Sequence, residues 1–168
     1  VFDSATDLRK EWISMPAVKA LEAQSAAMAR LEAAATDPSA AGDMAMLYGY
    51  MKLLDPSSVV RETEFATAAA SGSLPEQIQG YATKLLNGQR LTPEQRADFL
   101  NRAKMIYQGA ETEYDEIRNQ YIGIAERNKL PVADAVPDFR YSKGVAPVAP
   151  PASGAGTVID GYTIEAMP

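Results

Sequence analysis

Apolar side chains recur at helical spacing through the first 130 residues, and short polar or proline-containing breaks separate the apolar runs. This pattern predicts an all-α domain over residues 1–130. Ser14 and Pro16 predict a break inside the first apolar run, with Ser14 as the cap of the new helix and proline in its first turn. The face predicted for the first helix carries Leu8, Trp12 and Met15.

The most apolar stretch is DMAMLYGYMKLL, residues 43–54. It is apolar on nearly every face, which is typical of a central, buried helix. Asp55 and Pro56 predict its end, since the residue before a proline is pushed out of the helical region. We also expect Asp55 to cap a third helix over 56–70, with Pro56 in its first turn. The side chains predicted to face inward there are Val59, Val60 and Phe65.

Two capping boxes predict the starts of the next helices. The first is Ser73-Leu74-Pro75-Glu76, and Asn87-Gly88 predicts the end of the helix that follows it. The second is Thr92-Pro93-Glu94-Gln95. The inward side chains expected in the fourth helix are Ile78, Tyr81, Leu85 and Leu86.

The fifth helix is predicted over 92–129, a length of about 57 Å at 1.5 Å per residue. It contains two sets of residues that recur every seven positions, which is the pattern of a helix–helix seam. The first set is Leu100, Tyr107, Tyr114 and Tyr121, and the second is Ala103, Ala110, Ile117 and Ile124. We therefore predict an antiparallel helical bundle with one long heptad-bearing helix. Pairing of this helix within the chain or with another copy stays open.

The composition changes at residue 131. Six prolines and four glycines occur among the 38 residues of 131–168, which predicts an extended tail rather than a core. An apolar peptide ends the tail, and its profile is that of a segment that docks on another surface. Its apolar residues are Val158, Ile159, Tyr162 and Ile164.

Composition excludes several chemistries. The chain has no Cys and no His, so thiol nucleophiles, His-based triads and zinc sites built on these residues are excluded. No phosphate-binding glycine loop, nucleophile elbow or dinucleotide fingerprint occurs, and we expect no cofactor. The net charge of −6 argues against binding of a nucleic-acid phosphate backbone as the main role, and we expect no direct sequence-specific nucleic-acid binding. No apolar run is long enough to span a bilayer. The first residue is Val1, as in an excised or processed piece of a longer protein.

Two clusters on the fifth helix have a functional and a structural interpretation. Glu111, Glu113, Asp115 and Glu116 are the oxygen ligands that a divalent cation prefers, but a helix spreads them over two sides, so we interpret them as a solvated face. The three tyrosines of the seam resemble a stacking platform for bases or sugars. Because no basic residues surround them, we interpret them as packing contacts.

Residues 61–72, RETEFATAAASG, resemble the glutamate-containing segment of lytic transglycosylases, which cleave peptidoglycan. In that alternative, Glu62 or Glu64 is buried and acts as a general acid on a glycosidic bond. The glycine-rich and glutamine-containing loop expected after that segment is missing. Acidic residues also favour a helix N-terminus, where Arg61 can pair with them, so the structural interpretation leads.

A wider stretch carries a second resemblance. It contains LRKEW at 8–12, DMAMLYGYMKLLDPSSVVRETEFATA at 43–68 and GQRLTPEQRADFLNRAKMIY at 88–107. Together these segments are similar to a region that recurs in virion proteins of tailed bacteriophages, described as internal virion, DNA-ejection or tail-associated proteins. The resemblance covers residues 2–128, and the run 50–68 is its most specific part.

The resemblance implies a structural and interaction role, with no catalytic residue to carry over from this segment. It implies a homo-oligomer that contacts portal, tail or internal proteins during assembly and genome delivery, soluble in the host cytoplasm before it enters the particle. A helical adaptor unrelated to phage is the remaining alternative. The candidate protein-contact residues are Arg61, Glu62, Glu64, Phe65, Tyr107, Tyr114, Tyr121 and the four apolar residues of the terminal peptide.

Overall fold

The computed structural model describes residues 2–141, and all the regular secondary structure in this range is helical. The all-α class predicted from the sequence is therefore confirmed. The helices are α1 (Phe2–Ser14), α2 (Pro16–Ala35), α3 (Ala40–Leu54), α4 (Glu62–Ala70), α5 (Glu76–Leu86), α6 (Pro93–Arg127) and α7 (Val132–Ala135). No helix within 2–141 combines the length and apolar character that a membrane crossing requires.

The core lies where α2, α3 and α6 meet. As predicted, α3 is central: Met46, Leu47, Met51 and Leu53 are each at most 1% exposed. α2 and α3 approach closely at Gly49, where an added Cβ would lie 3.1 Å from the Cβ of Leu31. The glycine thus permits a helix–helix distance that a larger residue would widen.

The prediction for the third helix is wrong at its start. α3 ends at Leu54 as expected, but α4 begins at Glu62 with Arg61 as its N-cap. Asp55 does not cap α4; its carboxylate accepts a hydrogen bond from Ser57 N at 3.1 Å instead. The serine and valine run that follows Pro56 has poor helix propensity, so it forms a loop.

Two other predicted caps are also wrong in detail. α1 continues through Ser14, whose hydroxyl donates to Glu11 O, and Met15 is the N-cap of α2; Pro16 lies in the first turn as predicted. Ser73 does not cap α5, which begins after Pro75. Among the side chains expected to face inward, Ile78 is fully buried, but Val59 and Leu86 are 90% and 42% exposed.

The bounds of α6 lie within two residues of those predicted for the fifth helix. The side chain of Thr92 accepts a hydrogen bond from Gln95 N and that of Gln95 accepts one from Thr92 N, so the predicted capping box is confirmed. Among the heptad positions, Ala103, Tyr107 and Tyr114 are buried. The others are partly buried: Leu100, Ala110, Ile117, Tyr121 and Ile124.

The first part of the predicted tail belongs to the helical domain. Residues 132–141, which we call the strap, comprise α7 and an extended segment that lies against α1, α2 and α6. Ala135 and Val136 are 0% exposed. The predicted extended conformation from residue 131 is wrong for α7, which is helical, whereas the residues after α7 are extended. The strap also makes hydrogen bonds and buries side chains, which its proline content does not reveal.

Candidate protein-contact site

The loop between α3 and α4, residues 55–61, is held by α3. The hydroxyl of Tyr48 donates to Val60 O at 3.3 Å, and the ammonium group of Lys52 donates to Ser58 O. With the turn at Asp55, these bonds satisfy backbone groups that a free loop would leave to water. The loop is therefore constrained at both ends although it has no regular secondary structure.

This loop presents an apolar side chain to solvent. Val59 is 90% exposed, the highest fraction among the exposed large apolar residues of the described chain. Arg61, Glu62 and Glu64 lie beside it and are also exposed. Three of the four residues predicted for this corner are thus available to a partner.

Phe65, the fourth residue, is fully buried and lies edge-on to Tyr48, with ring centroids 5.7 Å apart. It fixes the corner from inside, so a direct contact of Phe65 with a partner is excluded in this conformation. Arg61 N donates to the carboxylate of Glu64 at 3.3 Å, which stabilises the start of α4.

The enzyme alternative placed a buried acid at Glu62 or Glu64. Both carboxylates are exposed in the first turn of α4, where the positive end of the helix dipole favours negative charge. This environment matches the structural interpretation of the two residues.

The tyrosines of α6 pack inside the chain. Tyr107 and Tyr114 are 5% and 1% exposed. The ring of Trp12 lies between Tyr114 and Tyr121, with centroid distances of 5.4 and 5.2 Å. Tyr121 is half-buried, and its hydroxyl donates to the carboxylate of Glu11 at 2.8 Å. These contacts join α6 to α1, a pairing that the sequence left open.

Side-chain groups of the helices hold the strap mainly through its backbone. They contact every second residue, as happens when a peptide binds in an extended conformation. With the donor first, the hydrogen bonds are Trp12 Nε1 to Pro137 O (2.9 Å), Ser25 Oγ to Phe139 O (2.8 Å), Phe139 N to Tyr114 OH (3.1 Å) and Tyr141 N to Tyr107 OH (2.6 Å). The two phenols are buried, and this burial raises the pKa of Tyr107 and of Tyr114.

The intervening strap residues form ion pairs. The guanidinium of Arg140 lies between the carboxylates of Asp115, at 3.0 Å, and Asp138. Arg118 approaches Asp138 at 3.9 Å. Burial works to raise the pKa of Asp138, but the hydrogen bonds from Arg140 and the two positive charges outweigh it, so the pKa is lowered.

The acidic cluster on α6 does not converge. Asp115 pairs with Arg140, whereas Glu113 and Glu116 are exposed. Partial burial raises the pKa of Glu111 despite the opposing charge of Arg140. Within residues 2–141, no group of three acidic side chains is arranged to hold a metal ion.

Sequence reasoning missed a buried charge cluster at the start of α6. Asp43 is 1% exposed and accepts hydrogen bonds from Arg90 Nε at 2.8 Å, from Leu91 N at 3.2 Å and from Arg96. Arg96 also donates to the backbone carbonyls at the end of α2: Ala34, Ala35 and Asp37. The available signal was that Asp43 is the only carboxylate in the largely apolar helix α3.

The predicted docking peptide, with Val158, Ile159, Tyr162 and Ile164, lies outside the described residues. Comparisons of this chain with protein-family models, with curated proteins and with solved structures find no match. The candidate site therefore stands on its geometry.

Proposed function

We propose that this chain is a structural component of a tailed-bacteriophage virion and acts by protein–protein contacts during assembly and genome delivery. The resemblance of residues 2–128 to virion proteins supports the proposal. The observation that carries it is the constrained loop that presents Val59 to solvent, because this loop lies in the most specific part of that resemblance, 50–68.

The physics of the loop fits a contact surface. Its backbone is already fixed by Tyr48 and Lys52, so binding orders little additional chain. Covering an exposed valine contributes about 1.5–3 kcal/mol. Arg61, Glu62 and Glu64 form a charged rim that would orient a partner and suppress wrong ones.

In this proposal the partners are other copies of the chain and portal, tail or internal virion proteins. Copies arranged about a symmetry axis would place the loop of each at equivalent positions on a ring. The helices would form an antiparallel bundle in each copy, with α6, 35 residues long, as its stiff member.

The test is the copy number of this chain in purified particles, measured by quantitative mass spectrometry against the portal protein. A fixed ratio is expected. Val59→Asp should lower incorporation at least about tenfold. The burial of Val59 contributes about 1.5–3 kcal/mol, and a tenfold change corresponds to about 1.4 kcal/mol. Met105→Asp is the matched control, since Met105 is also apolar and 72% exposed but lies on α6.

Two results would contradict the proposal. One is absence of the chain from purified particles. The other is incorporation of the Val59→Asp variant at the same ratio as the unmodified chain, when circular dichroism shows that the variant is folded.

A further inference from the structure

The strap is bound as a peptide ligand would be. Pro137, Phe139 and Tyr141 offer backbone groups to side chains of α1, α2 and α6, while Asp138 and Arg140 offer charges to α6. We call the surface that receives them the strap groove; it is formed by Trp12, Ser25, Tyr107, Tyr114, Asp115 and Arg118.

The groove binds an extended segment with a defined sequence as well as a defined backbone. Val136 fills a fully buried position, and Arg140 requires the acidic Asp115 opposite it. Tyr141 adds a hydrogen bond from its hydroxyl to the carboxylate of Glu32 at 2.9 Å. None of these contacts depends on the strap and the groove belonging to the same chain.

The covalent connection between groove and strap is short and unfavourable. α6 ends at Arg127 and α7 begins at Val132. Between them Lys129 has φ of 54°, in the left-handed region that disfavours residues with a side chain. Leu130 N donates to Ala125 O at 2.9 Å, so the chain turns back tightly on α6. A straightened connection would relieve the conformation of Lys129.

We propose that the strap groove also receives the strap of a second copy of this chain, so that copies join by strap exchange. A second copy is the occupant that supplies the same buried valine, backbone register and charge pattern. Reciprocal exchange closes a dimer, whereas head-to-tail exchange closes a ring. The inference does not rest on the virion role.

Exchange turns a contact within one chain into a contact between subunits. The strap of the same chain competes at an effective concentration in the millimolar range, as short tethers give. Exchanged oligomers are therefore expected to grow with protein concentration. Tyr107 and Tyr114, predicted from the sequence as protein contacts, would then meet a partner without any change in the groove.

A charge reversal distinguishes exchange from association through another surface. Arg140→Glu in one full-length chain and Asp115→Arg in another each place like charges at the pair that lies 3.0 Å apart in the unmodified chain. Only a mixed oligomer, with each strap in the groove of the other variant, restores opposite charges at both sites. Native mass spectrometry of the mixture measures the mixed species.

In an equimolar mixture, we expect the ratio of mixed to unmixed dimers to lie about fivefold above its statistical value, in line with two partly exposed ion pairs. The matched control is Asp98→Arg mixed with Arg102→Glu, because that pair, 2.9 Å apart, lies within α6 and never exchanges. The control mixtures should contain mixed and unmixed species in the statistical ratio. The unmodified chain should form more oligomer as its concentration rises.

Fluorescence of Trp12, the only tryptophan, reports whether the groove is filled in each variant. A statistical proportion of mixed species would overturn the inference, because association would then use another surface. A chain that is monomeric at its highest soluble concentration would overturn it as well, and this result does not require either variant to fold.

Discussion

The two ends of α6 are anchored in different ways. At its start, Arg96 and the neighbouring Arg90 converge on one buried carboxylate, that of Asp43. Along its middle and second half, α6 holds the strap by separate hydrogen bonds and ion pairs, several of them at the surface.

The two anchors of α6 contribute to stability in different ways. A buried charge that loses its partner is strongly destabilising, so the Asp43 cluster acts as one unit. The strap contacts are individually weaker, and each can be lost with a modest penalty. We therefore expect the start of α6 to open only with global unfolding, whereas the strap can open while the helices remain folded.

The largest expected effect is at Asp43. Asp43→Ala leaves the guanidinium of Arg96, which is 11% exposed, without its carboxylate, and should lower the free energy of unfolding by about 3–5 kcal/mol. Urea unfolding followed by circular dichroism measures the change. Asp98→Ala is the control, because Asp98 pairs with Arg102 at the surface and its loss should cost less than about 1 kcal/mol. If the two variants lowered the free energy of unfolding equally, the Asp43 cluster would not be the stronger anchor proposed for the start of α6.

A smaller effect is expected at the strap. Tyr107→Phe removes the hydroxyl that accepts a hydrogen bond from Tyr141 N and also bonds Ser25, which should cost about 1–3 kcal/mol. Tyr121→Phe removes a hydroxyl whose bond to Glu11 is exposed, and it should cost less. Trp12 emission and urea unfolding together separate loosening of the strap from loss of the fold. No loosening in Tyr107→Phe would show that the backbone bonds do not hold the strap.

The smallest effect is on pH dependence. The folded-state pKa of Asp138 lies below its unfolded value of about 3.9. Asp138 therefore adds to the free energy of unfolding above that value, and this contribution is lost as the pH falls through the folded pKa. The effect of Glu111 on the free energy of unfolding has the opposite sign. Its pKa is raised by partial burial, so protonation in acid removes the cost of keeping its charged carboxylate partly buried. The stability difference between the unmodified chain and Asp138→Asn isolates Asp138. This difference should stay below about 1 kcal/mol and vanish in acid, since the group is partly exposed.

Elements specified by local sequence were predicted well. The all-round apolar run 43–54 gave a buried helix, and the capping box at Thr92 gave the start of α6 within one residue. The end of α6 near Asn128 also followed from local signals. These features depend on neighbours in the chain, which a sequence displays directly.

Features that depend on distant partners were missed. Asp43 is bound by residues 47 to 53 positions away, so its role is invisible in its own helix. The strap docks largely through its backbone, which leaves no periodic pattern of side chains. The loop at Asp55 was misread because an Asp-Pro pair resembles a helix start, while Tyr48 and Lys52 fix the loop from α3.

Native-state hydrogen exchange tests the contrast between the two ends most directly. It compares the amide of Leu91, which donates to Asp43, with those of Phe139 and Tyr141, which donate to tyrosine hydroxyls. We predict that Leu91 exchanges only through global unfolding, and that the strap amides exchange through a smaller opening that depends little on denaturant. Identical opening free energies at all three amides would contradict this account, because the strap would then be inseparable from the core.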